Sequence, residues 1–387
     1  MSIVRLGAKA IDTTDPVLGQ VLASAEGVSL GRRNLIINGD MRIAQRGTSA
    51  TGVTTSNDYY TIDRWKNVQG NDGTITLSQV TDAPANTGLV HSYKVDVTTA
   101  DASIAANQYQ HIHHTIEARN VQHLMYGTVN AKTITLSFYV KSNKTGIYGL
   151  CFSKSDNTRY DYVAEYTINA ANTWERKTIT VVPDSNIKAS GGAIDNDIGL
   201  GLRMKWILAA GTDRQGAANT WHTATPKDTT SNQVNFLDNT ANEFFLTGCQ
   251  LEVGTEATEF EHTDFSEELR KCQRYFYLID ATASAGDENS PIVRESATQA
   301  ALTYFLPTNM RATPAVEGAN YGRIVGYTTS FGAAATATVT NITVRTNVND
   351  GQKIDLNLTH GSFAGGRVFS HHDRNAQAGV MGLDAEL

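Results

Sequence analysis

Apolar and polar positions alternate with a period of two along most of this chain, which is the mark of strands with one buried face. In "KTITLSFYVKS", Ile134, Leu136, Phe138 and Val140 share one face, while Thr133, Thr135, Ser137 and Lys141 share the other. "GTITLSQV" puts Ile75 and Leu77 on one side, and "IGLGLRMKWILAAG" alternates through Leu202, Met204, Trp206 and Leu208. "YVAEYTINAANTWERKTITVVPD" reads as two strands joined by a turn at Asn169–Asn172. "EFFLTGCQLEVG" is apolar on both faces, as expected of a central strand in a covered sheet. Short strands with turn residues between them predict an antiparallel sandwich or jelly roll. Further upstream, "NLIINGDMRIAQRG" predicts two short strands, one at Leu35–Ile37 and one after the Asn38-Gly39-Asp40 turn.

The period changes once. In "DFSEELRKCQRYF", Phe265, Leu269, Cys272 and Phe276 fall at i, i+4, i+7 and i+11, one face of a short helix. Asp264 is placed to cap it, with Glu267 three residues on. This predicts a connector helix over 263–278 that buries Leu269 and Phe276 between two β domains. Strand patterns resume in "ATQAALTYFLPTNMRATPAV", "AATATVTNITVRTNV" and "QKIDLNLTHGSF". The expected fold is therefore all-β: a jelly-roll β-sandwich over 34–262, the connector, and a smaller C-terminal β domain over 279–387. Residues 1–33 have scattered aliphatics and no core of their own, so they read as an extended arm.

Composition narrows the class. A chain of 387 residues is long for one core, so two or three domains are expected. The net charge is −7 and no segment is strongly basic, which argues against a nucleic-acid partner. Three cysteines without metal or CxxC spacing suit a reducing compartment. The N-terminus lacks the apolar run of a signal peptide, and no stretch has the ~18 apolar residues of a membrane span.

Candidate chemistry is sparse. Tyr59 and Tyr60, beside Trp65, are candidates for a sugar-stacking platform, although Trp65 itself reads as core beside an Asp63–Arg64 surface pair. Trp221 and His222 lie in the polar stretch "AANTWHTATPKD", where an exposed indole would serve binding. His111 and His113 share a strand face opposite His114, and two histidines make an ordinary polar face more readily than a metal site. Asp195 and Asp197, in "GGAIDNDIG", are candidate ligands for a structural Ca2+, the one cofactor the sequence offers. His371, His372 and Arg374, in "SHHDR", are candidates for a receptor-contacting loop, with Arg374 as a fork donor to sugar carboxylates or phosphates. No GxSxG, P-loop or HExxH is present, so no catalytic residue is assigned.

Several stretches together carry a resemblance. "NLIINGDMRIAQRGTS", "TIDRW", "LTGCQLEVGTEATEFE" and "EELRKCQRYF" resemble the carbohydrate-binding-module-like region of bacteriophage tail fibre and receptor-binding proteins. "LPTNMRATPAV" and "GLDAEL" resemble the β domain that follows it. The resemblance covers roughly 34–387. It implies a virion tail protein assembled in the host cytoplasm, joined to other tail proteins through residues 1–33 and binding a host-surface glycan. Fibres of this kind are commonly trimers, so a homotrimer is expected. The expectation is a binding protein and not an enzyme. The alternatives are a tailspike-like glycan depolymerase, against which no repeat is visible, and a purely structural virion connector.

Overall fold

A computed structural model describes residues 33–223, 225–279, 291–294, 298–317, 323–327, 334–344, 353–360, 369–372 and 381–387. The arm expected over 1–33 lies, apart from Arg33, outside these residues. The chain is all-β, with a jelly-roll sandwich, a short helix and a smaller C-terminal β region. The sandwich strands are β1 (Ser49–Val53), β2 (Ser56–Asp58), β3 (Trp65–Gly70), β4 (Thr74–Val80), β5 (Ser92–Thr99), β6 (Tyr109–Glu117), β7 (Ile134–Ser142), β8 (Gly146–Lys154), β9 (Tyr160–Ile168), β10 (Glu175–Val181), β11 (Leu200–Ala210), β12 (Thr220–Thr223) and β13 (Glu243–Val253). Six form a first antiparallel sheet in the order β1-β4-β5-β13-β7-β10. Seven form a second, β12-β9-β8-β11-β6-β3-β2.

The inward residues are those the period-two pattern selects. Ile134, Leu136, Phe138 and Val140 from the first sheet meet Leu202, Met204, Trp206 and Leu208 from the second in one core. Phe138 is edge-on to Trp206 with centroids 5.7 Å apart, a favoured aromatic geometry. β13 is buried along nearly its whole length between β5 and β7, as its two-sided apolar sequence requires. The turn after β9 does not make a hairpin within one sheet. β9 belongs to the second sheet and β10 to the first, so the turn crosses the sandwich.

The connector helix spans Phe265–Gln273, and the Asp264 carboxylate caps it by accepting from the backbone N–H of Ser266 (2.8 Å) and Glu267 (3.3 Å). Its buried residues are Glu268 and Cys272, with Leu269 half-buried. Two expectations fail here. Phe265 is 54% exposed, and Phe276 (2% exposed) belongs to the next strand and not to the helix. That strand, β14 (Phe276–Ile279), starts the C-terminal region. β15 (Pro291–Arg294), β16 (Gln299–Phe305), β17 (Ala315–Glu317), β18 (Arg323–Tyr327), β19 (Ala334–Val344), β20 (Lys353–His360), β21 (Phe369–His372) and β22 (Met381–Asp384) follow. β15-β16-β20-β19-β18-β21 close into a barrel. β14, β22 and β17 form a separate three-stranded sheet, so the strand leaving the helix pairs with the last strand of the chain.

Residues 33–48 hold no strand, which corrects the reading of Leu35–Ile37 and the segment after Asp40 as strands. This irregular stretch is nonetheless deeply buried, because side chains satisfy its backbone. Asn38 has φ 58°, and its amide donates to the carbonyls of Ile43 and Asp63, each at 2.9 Å. Its own carbonyl accepts from Trp65 Nε1 at 2.9 Å. Gly39 lies against β13 so closely that a Cβ there would sit 2.1 Å from the Cys249 carbonyl oxygen.

Candidate functional site

Two polar regions adjoin on the outer side of the second sheet. The first is a junction where the sandwich, the helix and the chain's last residues interlock. Arg64, at φ 72°, is fully buried, and its guanidinium lies 3.5 Å above the Tyr275 ring, pairs with Glu386 and donates to the Thr115 carbonyl at 2.6 Å. Burial pulls the Arg64 pKa down, but the Glu386 carboxylate together with Tyr275, Tyr59 and Cys272 more than offsets this and holds it above its ordinary value. Arg46 lies 3.6 Å over the Phe276 ring and pairs with Asp384 at 2.6 Å. Arg311 donates to the carbonyls of Ala385 (2.6 Å), Glu386 (2.7 Å) and Ile198 (2.9 Å). Arg274 grips Glu117 with two bonds of 2.8 and 3.0 Å, and Tyr275 OH donates to the same carboxylate at 2.9 Å. Asp63 is also fully buried and bonded to Gln45, and burial pushes its carboxyl up to about 6. The expected Asp63–Arg64 surface pair is therefore wrong. Both groups are interior, and each is committed to a different partner.

The second region is the outer face of β3, β6, β8 and β11. β6 alternates sharply. His114 points inward, 5.4 Å from Trp65, and its Nε2 accepts from the Ile37 N–H at 3.2 Å. Tyr109, His111 and His113 point outward, ring beside ring at 6.0 and 5.4 Å. Register places Lys66 on one side of His113 and Lys205 on the other, with Arg203 between Thr115 and Ser153. The segment between β11 and β13 covers part of this face. Its Asp228 accepts from Lys205 (2.8 Å) and Arg214 (3.1 Å), and Arg214 lies 4.2 Å over Tyr109. Its Gln233 side chain accepts from the Gly149 N–H at 2.6 Å.

Beyond that cover the pairing stops. Lys66 has the Tyr59 ring at 5.2 Å, and Arg203 donates through Nε to Thr115 Oγ1 at 3.1 Å. Among the described residues neither forms an ion pair. His113 is 2% exposed and neither ring nitrogen has a partner in the protein, and the same holds for His111 Nδ1 and for Ser153 Oγ at 1% exposure. Burial, reinforced by Arg203, His111, Lys205 and Lys66, keeps His113 well below the ordinary histidine range, and burial with Lys205 brings His111 to about 3. The histidines are neutral among cations. The arrangement offers hydrogen-bond donors and positive charge, and among the described residues no group of three metal-ligating side chains exists here or elsewhere.

The residues singled out from sequence fall in other places. Tyr59 is 7% exposed and ties its hydroxyl to the Leu387 carbonyl at 3.0 Å, and Tyr60 packs on the core. Trp221 does not lie open in a loop. It sits in β12 at 5% exposure, donates to the Val182 carbonyl at 3.1 Å and packs 5.3 Å from Tyr162, so it is a core residue and no platform. His222, its neighbour, bonds the Ala217 carbonyl at 2.9 Å. Asp195 and Asp197 are exposed but spend oxygens on Asn157 Nδ2 (3.1 Å) and the Gly199 N–H (2.7 Å). His371 and His372 belong to β21, paired with β18, and not to a loop. Arg374 lies outside the described residues.

Sequence reasoning missed Trp174. It is half-buried on the outer face of the first sheet, with Nε1 donating to Asp82 Oδ1 at 3.0 Å and Phe245 edge-on at 6.2 Å. Lys141 pairs with Asp82 and lies 4.2 Å over Phe245, so this aromatic pair is already partly capped by a cation. The available signal was the pentapeptide "AANTW", which ends at Trp174 as well as at Trp221.

Comparison with known proteins gives little beyond shape. No family model matches the chain, and no curated protein matches it. Among solved structures, a putative sugar binding protein from Bacteroides thetaiotaomicron aligns at TM-score 0.31 and 12% identity, over 57% of this chain and 100% of its own length. A family 11 carbohydrate-binding module from a cellulosomal cellulase of Clostridium thermocellum aligns at 0.28 and 14%, over 54% of this chain and 98% of the module. The enzymatically active domain of tailspike protein 4 from bacteriophage CBA120 aligns at 0.27 and 9%, over 49% of this chain but only 19% of that one. At these scores the alignments carry no argument about ligand or activity, and the fold assignment rests on this chain's own strand order.

Proposed function

We propose that this chain is a non-enzymatic structural protein of a bacteriophage tail, of the tail fibre or receptor-binding type, which binds a host-surface glycan. One observation supports the reading above the others. Five of the six stretches that resemble tail fibre proteins supply part of the junction. "NLIINGDMRIAQRG" brings Asn38 and Arg46, "TIDRW" brings Asp63 and Arg64, "EELRKCQRYF" brings Glu268, Arg274 and Tyr275, "LPTNMRATPAV" brings Arg311, and "GLDAEL" brings Asp384 and Glu386. These partners lie as much as 338 residues apart in sequence. Such a junction locks a sandwich to a second β module, which is what an appendage under shear requires. The resemblance is then one of architecture, and the ligand surface is left to the faces around it.

In this reading residues 1–33 dock on another virion protein and three copies assemble. Purified chain should block phage adsorption to its host, release no new reducing ends from host polysaccharide, and scatter light as a trimer at micromolar concentration. Release of reducing ends would make it a depolymerase. Failure to block adsorption would make it an internal connector, a second reading favoured by the same observation, since the recognisable residues serve the joint. A monomer mass would remove the trimer.

A further inference from the structure

We propose that the outer face of the second sheet at Lys66, Arg203 and His113 binds the oxyanion of an acidic saccharide, a carboxylate or a phosphate. The identity of the polymer rests on the glycan reading above; the anion site does not. Buried polar atoms are almost always hydrogen-bonded. On this face His113 Nδ1 and Nε2 and His111 Nδ1 on β6, and Ser153 Oγ on β8 across the intervening β11, are without protein partners. Other exceptions include Tyr93 OH and Trp206 Nε1 among core rings, Gln69 Oε1 and Gln110 Oε1 across β3 and β6, and Arg64 Nε and Glu386 Oε1 in the junction.

Charge adds the second half of the argument. Most nearby acids already hold a cation: Asp228 holds Lys205 and Arg214, Asp161 holds Arg159 at 2.8 Å, and Glu386 holds Arg64 and Arg46, while Asp58 accepts from the Tyr59 N–H at 2.8 Å. Lys66 and Arg203 are left without an ion-paired carboxylate; burial and then Arg203 lower the Lys66 pKa, with Asp58 and the junction acids only partly compensating, and burial lowers that of Arg203. Two unpaired, half-desolvated cations in a chain of net charge −7 are unfavourable unless something negative visits them. The Arg203 guanidinium spends Nε on Thr115 and keeps its two terminal nitrogens for a bidentate oxyanion, with Lys66 as a point charge beside it. A neutral saccharide would leave both cations unpaired, so specificity for the acidic one follows.

The test compares full-length protein with Lys66→Met and Arg203→Met, singly and together, methionine keeping the buried stems filled. Affinity electrophoresis through polygalacturonate, its fully methyl-esterified form, a phosphodiester-linked teichoic acid and a neutral β-glucan separates the sources. Retention by one of the two anionic polymers, lost on esterification or weakened at least tenfold in the double variant and in high salt, supports the site and names the anion. Histidine ring NMR with free galacturonate and inorganic phosphate gives the second readout: His113 signals should move in the parent and not in the double variant. Polymer binding that ignores charge and both substitutions would leave the glycan reading standing and overturn the oxyanion site. Movement of His113 by the small anions with no polymer retained would do the reverse. If Arg203→Met fails to fold, Lys66→Met and Arg203→Lys carry the comparison, and unchanged retention and unmoved His113 signals in Lys66→Met overturn the proposal.

Discussion

Arg64 and Lys66 are two residues apart and flank the fully buried Trp65. Their surroundings are opposite. Arg64 has a carboxylate, a backbone carbonyl and an aromatic ring within contact, all from segments distant in sequence. Lys66 has one ring and a neighbouring cation. A buried charge with its partners supplied by the protein belongs to the architecture. A half-buried charge with none supplied is available for something outside the chain. The contrast separates joint from binding face without any appeal to relatives, and four measurements act on it.

The largest effect should come from the joint. Arg64→Met removes the closer of the two arginines on the buried Glu386 carboxylate and leaves it Arg46 at 3.6 Å, so the cost should approach the about 3–5 kcal/mol of breaking a buried pair. Denaturant unfolding should show it, and adding Glu386→Gln should recover part of the loss through a non-additive cycle. A cost under about 1 kcal/mol for Arg64→Met, within the range of ordinary surface changes, would mean the joint is not holding the two regions together.

Next comes acid sensitivity on the face. His111 is held at about 3 in the folded protein, against an ordinary value near 6.5, so the fold favours its neutral form. A depressed folded pKa gives stability that is whole above the unfolded value and lost as pH falls toward the folded one. From pH 6.5 to 5 the loss from this group is ~2 kcal/mol, and His113 adds to it in the same direction. Asp63, raised to about 6, acts oppositely, since its stabilising protonated form is lost as pH rises between about 4 and 6. His111→Gln against the parent isolates the histidine contribution. Identical pH–stability curves would show that the ring is protonated as readily in the fold as in the unfolded chain.

The helix comes third. Leu269 is half-buried beside Cys272 and Tyr275, so Leu269→Ala should cost about 1–2 kcal/mol, below the 2–5 typical of full burial. A change near zero would show that the helix contributes its cap and its charges to the joint and little packing.

The sequence made the sandwich readable because period two is local: Phe138 and Trp206 could be assigned inward from their nearest neighbours alone. It hid the joint because nothing near Arg64 reports Glu386, 322 residues away. "AANTW" shows where the limit falls. Both copies put their Asn, Asn172 and Asn219, in the left-handed region at φ 56°, as asparagine in a turn permits. Yet the following tryptophans part company: Trp221 pairs into β12 and packs on Tyr162 and Tyr126, while Trp174 leads into β10 on the far sheet and stays half-buried. Five residues determine a turn, and tertiary context determines what the ring meets. The same limit explains the histidines, whose shared face was legible while its unpaired cations, Lys66 on β3 and Arg203 on β11, were not.

The smallest effect is the most informative about the face. Lys66→Met removes a charge from a site where burial and Arg203 already disfavour it, so the folded state loses a cost as well as a weak contact with Tyr59. Methionine keeps the apolar stem in place. Stability should therefore change by no more than about 0.5 kcal/mol, with a gain as reasonable as a loss. The same substitution two residues earlier is expected to cost several times that. If Lys66→Met instead destabilises by as much as Arg64→Met, Lys66 has a protein partner that stabilises the fold, the face is a second joint, and the distinction between the two regions fails.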